Sequence, residues 1–122
     1  MRQVESPPAT VGFWDLFGLH FTGVFLVIFL LAHVWAVHYA VGGEPEFTFE
    51  AVRPKLQSPL FTFLDLGLLA LAIYHGLTGF RRFLVDLEAF SRGALRVITW
   101  VLVLIGLGGL YYGWLIYRAF VG

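Results

Sequence analysis

Four histidines and a short run of charge hold most of the chemistry open to this 122-residue chain. His75 stands inside a long apolar stretch, with Gly79, Arg82 and Asp86 at four, seven and eleven positions beyond it. On a helix turning about 100° per residue, that spacing places all three within about 40° of His75 on one face. At ~1.5 Å per residue, Asp86 lies about 16 Å along the axis from His75. If Asp86 marks the inner surface of a bilayer, the imidazole sits near mid-depth, where an ionisable side chain is costly and is a functional candidate by default. A neutral imidazole is the usual protein ligand of haem iron, and Gly79, one turn away, leaves the space a flat macrocycle needs against a backbone. Haem propionates need cations, and Arg81, Arg82 and His20 are the candidates. The same spacing equally suits a histidine that only hydrogen-bonds a neighbouring helix.

The other histidines are ranked by depth. Counted from the inner ends of their spans, His20 lies ~8 Å past Asp15, His33 ~27 Å past it, and His75 ~16 Å from Asp86. His33 is therefore mismatched with His75 by about 11 Å, and His20 by about 9 Å the other way. A haem with two histidine ligands takes its second from a different subunit, unless the first helix slides by about two turns. His20 falls where propionates could point inward. His33 fits better as an interhelical histidine than as the support of a second cofactor in the outer half, and His38, beside Tyr39, reads as interfacial.

Composition fixes the setting in which these residues act. Hydrophobic types make up 59% of the chain and charged types 13%, with mean hydropathy +0.82, well away from a soluble domain. Disorder is excluded by the same figures. Eight basic and eight acidic residues cancel to a net charge of 0, which leaves no basic face for nucleic acid. With Cys 0, thiolate nucleophiles, disulfides and Cys-bound iron–sulfur clusters are out, so any metal must be held by His or carboxylate.

Three segments are long and apolar enough to cross a membrane, which takes about 20 residues. Leu16 to Gly43 contains no Asp, Glu, Lys or Arg, Leu56 to Phe80 contains only Asp65, and Val97 to Tyr117 is free of charge. The expected fold is all-α, an integral membrane protein with transmembrane helices over about 15–41, 59–86 and 94–118. A loop at 42–58 and a turn at 87–93 join them within one domain spanning 1–122. Ser58 and Pro59 read as N-cap and first residue of the second helix. Lys and Arg divide five to three in favour of a cytoplasmic N-terminus and an external C-terminus. That places the 42–58 loop outside, and a bacterial inner membrane is the simplest address. Three helices cannot enclose a transport path alone, and Gly106, Gly109 and Gly113 form a small-residue stripe that another helix can approach. Partner chains are therefore expected.

The run Tyr74-His75-Gly76-Leu77-Thr78-Gly79-Phe80-Arg81-Arg82-Phe83-Leu84-Val85-Asp86 closely resembles the second helix of the cytochrome b membrane anchors of succinate dehydrogenase. There His, Gly at +4, Arg at +6 and Asp at +11 recur. Phe47-Thr48-Phe49, Ser58-Pro59, Asp65, Leu68, Ala72 and Thr22-Gly23 are similar to the small hydrophobic anchor of the bacterial enzymes, so the resemblance runs from about Phe13 to Asp86. It implies that two anchor subunits pack into one helical bundle and share a haem b, with His75 as an axial ligand. It also implies a flavoprotein and an iron–sulfur subunit docked on the inner side, where quinone is reduced near Arg81 and Asp86. Two departures stand out. His20 occupies the position where the family often has an Arg that meets a propionate, and Leu87 follows Asp86 where related anchors often have a quinone-binding Tyr. Fumarate reductase, a two-haem menaquinol cytochrome that also uses His33, and a cofactor-free scaffold are the alternatives.

Overall fold

A computed structural model describes residues 12–39 and 48–121. It contains α1 (Phe13–His38), α2 (Phe49–Leu56), α3 (Pro59–Asp86) and α4 (Arg92–Val121). The chain is an all-α membrane protein, and α1, α3 and α4 are its three apolar helices of spanning length. Arg2, Gly42, Gly43, Pro45 and Phe47, which enter the charge count or the loop reading above, lie outside the described residues.

The expected loop is in part helical. Thr48 caps α2 by accepting a hydrogen bond from the Ala51 amide at 3.3 Å, and Arg53 and Lys55 occupy its last turn, where cations suit the helix dipole. Pro54 within the turn and a length of eight residues hid it from periodicity. Tertiary contacts hold it in place: Phe49 lies 5.0 Å, centre to centre, from Phe120, and the Thr62 hydroxyl donates to the Leu56 carbonyl at 2.9 Å. Pro59 does begin α3, although the Ser58 side chain makes no capping bond. At the other end, Leu87 closes α3, Glu88 takes a left-handed φ of 52°, and the Ser91 hydroxyl accepts from the Ala94 amide at 3.2 Å to start α4.

The helices form an open layer with α3 in the middle. α1 and α4 each lie against α3, and among the described residues they do not touch each other. Ala36, Phe61, Leu64 and Leu102 are the buried hydrophobic residues. Almost all remaining apolar surface faces outward, as it can where the solvent is lipid or another helix. Phe13, Phe17, Phe21 and Phe25, one turn apart, stack along the outer face of α1 with ring centres 6.1, 5.7 and 4.5 Å apart.

The glycine stripe is occupied from within the chain, which corrects its reading as a surface for partners. A Cβ on Gly106 would stand 2.9 Å from Leu77 Cδ1 and 3.4 Å from Ile73 Cγ2, one on Gly109 would stand 3.0 Å from Ile73 Cδ1, and one on Gly113 would collide with Leu69. The sequence displays a narrow face but does not say which helix fills it, and here α3 does. Gly106→Leu is expected to push α4 off α3 and cost about 1–3 kcal/mol, read as a lower melting temperature in detergent. Gly108, where an added Cβ meets nothing within 4 Å, supplies the control: Gly108→Leu leaves that temperature unchanged.

Candidate functional site

The depth of each polar side chain follows from the register of α1 against α3. Leu19 meets Gly79, Gly23 meets His75, Phe29 fills the gap over Gly67, and His33 meets Asp65. These pairs form one antiparallel ladder. Its origin differs from the assumption that Asp15 and Asp86 share a plane, because Asp15 lines a cavity with Arg82 and so sits about one turn short of Asp86. His20 consequently lies only about 4.5 Å in depth from the level of His75, rather than about 9 Å. His33 remains about 15 Å farther out along the axis.

His75 is half-buried in the α1–α3 seam. Its ring is seated on Gly23, where a Cβ would come within 3.0 Å of Cε1, 3.5 Å of Nδ1 and 4.0 Å of Nε2. Nδ1 faces the Thr22 hydroxyl at 3.3 Å. Leu19, His20, Gly23, Val24, Val27 and His75 line an open-sided cavity of about 430 Å³. Gly79, one turn inward, contributes to the clearance, since a Cβ there would touch only Leu19 at 3.8 Å.

The two cations line one cavity at the inner ends of α1, α3 and α4, with Asp15, Leu19, Thr78 and Thr99, but make different contacts. Arg82 Nε lies 3.7 Å from Asp86, and its Nη1 is buried without a hydrogen-bond partner among the described residues. Arg81 turns the other way, its Nε donating to Thr99 Oγ1 on α4 at 2.8 Å. It closes the inner end of an apolar groove of about 260 Å³ between α3 and α4 that reaches to Leu110. The helical wheel explains the split, because a six-residue step from His75 falls about 120° off the stripe while a seven-residue step returns to it. The structure therefore brings His75 and His20 to one cavity and Arg82 and Arg81 to another farther in, with Leu19 lining both and exposed Asp86 at the inner end.

Two histidines each turn Nδ1 to an oxygen of the chain. His20 Nδ1 lies 2.8 Å from the Leu16 carbonyl, which can only accept, so that nitrogen carries the proton. Through Nε2, His20 can then donate to an anion only as the imidazolium. His33 Nδ1 lies 2.8 Å from Asp65 Oδ1, the interhelical arrangement preferred for it above. Thr22 and Thr99 were not assigned a chemical role from sequence. Each hydroxyl also bonds back to a carbonyl of its own helix; Thr22 stood out only within the Thr22-Gly23 resemblance, and Thr99 only as a small polar residue in an apolar span. Among the described residues there is no cluster of three His, Asp or Glu.

Comparisons with known proteins show the family of the chain. The model of a family described as succinate dehydrogenase/fumarate reductase transmembrane subunit matches residues 4–110. The chain is 26% identical over 104 residues to the succinate dehydrogenase 2 membrane subunit SdhC of Mycobacterium tuberculosis (strain ATCC 25618 / H37Rv), covering 80% of this chain and 74% of that protein. That relative carries the SdhC name, whereas the motifs quoted above resemble the small hydrophobic anchor. No solved structure matches significantly. A half-buried histidine within three apolar spans, followed by the Gly, Arg and Asp positions of one helix and matched over most of its length by the family model, makes this chain a member of the succinate dehydrogenase/fumarate reductase transmembrane subunit family.

Proposed function

We propose that this chain anchors a succinate:quinone oxidoreductase in the bacterial inner membrane, N-terminus inside, and holds haem b together with a second anchor subunit. The observation that carries the reading is His75, placed in mid-span over Gly23 with one nitrogen turned to Thr22. The donor set fits the group. His75 offers an axial ligand, Gly79 leaves clearance, and Arg82 Nη1, without a partner among the described residues, suits a propionate, as does His20 in the cavity beside His75. Because the ring rests directly on Gly23, no macrocycle fits between α1 and α3 at that level. The second ligand accordingly comes from outside the chain, on the open side of the layer. When bound, haem b supplies a one-electron redox centre within the membrane.

The remaining residues act by position and charge. Arg81, fixed by Thr99 at the mouth of the α3–α4 groove, presents a guanidinium near the inner surface, where quinone gains charge during reduction. Asp86, exposed beside Arg82, can pass protons at that surface. Leu87 offers no hydroxyl, so the direct hydrogen bond to quinone comes from a partner chain. Arg82, Arg92 and Arg96 add positive charge to the inner end on which the iron–sulfur and flavoprotein subunits dock. In this scheme electrons pass from succinate to quinone, linking the tricarboxylic acid cycle to respiration, and this chain forms no covalent bond with either.

Purification in mild detergent tests the assignment. The expected result is co-purification with a flavoprotein, an iron–sulfur protein and a second small membrane protein, with a b-type Soret and α band in the reduced-minus-oxidised spectrum. Recovery of the chain without a flavoprotein or iron–sulfur partner overturns it.

A further inference from the structure

The seat of His75 includes a hydroxyl whose own hydrogen bonds leave it a single way to face the imidazole. A threonine hydroxyl has one proton and two acceptor lone pairs. Thr22 Oγ1 stands 2.7 Å from the Gly18 carbonyl oxygen and 3.2 Å from that of Leu19. Both can only accept, so the proton is directed along α1. His75 Nδ1, 3.3 Å away across the seam, therefore faces lone pairs, and a nitrogen in that position is satisfied only if it carries the hydrogen. Gly23 makes the approach feasible, because any Cβ there would press on Cε1 from 3.0 Å.

Resting on the haem-anchor reading above, we propose that Thr22 is a positioning residue that fixes His75 in its Nδ1–H tautomer and orients the ring, reserving the Nε2 lone pair for iron. A ligating histidine whose other nitrogen donates to a fixed oxygen is held in orientation and made more basic, and loss of such a partner typically weakens metal binding 10–100-fold. Threonine back-bonding to its own helix would by itself explain the Gly18 and Leu19 contacts. It would have no effect on the electronic properties of a haem. The two adjoining residues thus have separate roles, Gly23 admitting the ring and Thr22 choosing its proton.

The test uses the assembled complex carrying Thr22→Val, which keeps the shape and removes the hydroxyl, with Thr22→Ser as the conservative rescue and Thr22→Ala as a second deletion. Haem loss to excess apomyoglobin and the haem midpoint potential from an optical redox titration are the readouts. Thr22→Val and Thr22→Ala are expected to release haem about 10-fold faster and to shift the potential upward, because a less basic imidazole stabilises ferric iron less. Thr22→Ser stays within about twofold of the parent on the scale of that effect. Assembly of both deletion variants without haem, while Thr22→Ser retains it, supports the proposal equally. It is overturned if Thr22→Val matches the parent in release and potential, or if Thr22→Ser fails as Thr22→Val does. A parent complex that holds no haem overturns instead the reading on which the proposal rests.

Discussion

Changing His75 to alanine is expected to abolish the b-type Soret and α bands of the purified complex while the flavoprotein and iron–sulfur subunits still co-purify. The side chain is half-buried in a seam closed by other contacts, including Phe29 over Gly67 and Leu19 against Gly79, so its truncation removes a ligand without opening the α1–α3 interface. His33 is about 15 Å away along the axis. His20, held to the Leu16 carbonyl through Nδ1, keeps Nε2 open on the other helix about 4.5 Å farther in, so His20→Ala/His75→Ala is measured beside the single variant. A spectrum unchanged in His75→Ala would rule out this histidine as the ligand and leave the chain as a scaffold.

The second large effect concerns stability and should be asymmetric. His33 and Asp65 face each other at 2.8 Å, with side chains only 32% and 30% exposed. His33→Ala strands a carboxylate in the apolar span, where an unpaired Asp costs about 3 kcal/mol. The expected outcome is a marked drop in melting temperature and in the amount of complex recovered from membranes. Asp65→Asn, in contrast, leaves a neutral histidine opposite a neutral acceptor and should change stability by under about 1 kcal/mol. The double variant His33→Leu/Asp65→Leu should recover much of the loss, as apolar replacements of buried ion pairs often do. Equal damage from Asp65→Asn and His33→Ala would refute the charge argument. The haem count by pyridine hemochrome should be the same in all these variants. If His33→Ala halved it, His33 would be the ligand of a second haem and its pairing with Asp65 would be a supporting contact.

These two positions also mark the limit of reading along the chain. Both histidines were visible as polar residues in apolar stretches, and the stripe linking His75 to Gly79, Arg82 and Asp86 follows from helical period alone. Their relative depth did not follow, because it depends on how α1 slides against α3. That slide is set by side chains interlocking across the seam, Phe29 into Gly67 and His75 onto Gly23, none of which is adjacent in sequence. The assumed common plane of Asp15 and Asp86 misplaced His20 by roughly a turn, and only the packed helices correct it.

The spans, their order and the shared face of His75, Gly79, Arg82 and Asp86 were determined by the sequence itself. A charge-free run of about 20 residues has few alternatives to a spanning helix, and periodicity is a local property of the backbone. Tertiary structure decided which helix fills the Gly106–Gly113 stripe, that Arg81 bonds to Thr99 on α4 while Arg82 stays beside Asp86, that α2 interrupts the loop, and that Thr22 meets His75. Each of these depends on a distance between residues far apart in the chain, and such distances are fixed only when helices choose their neighbours and register.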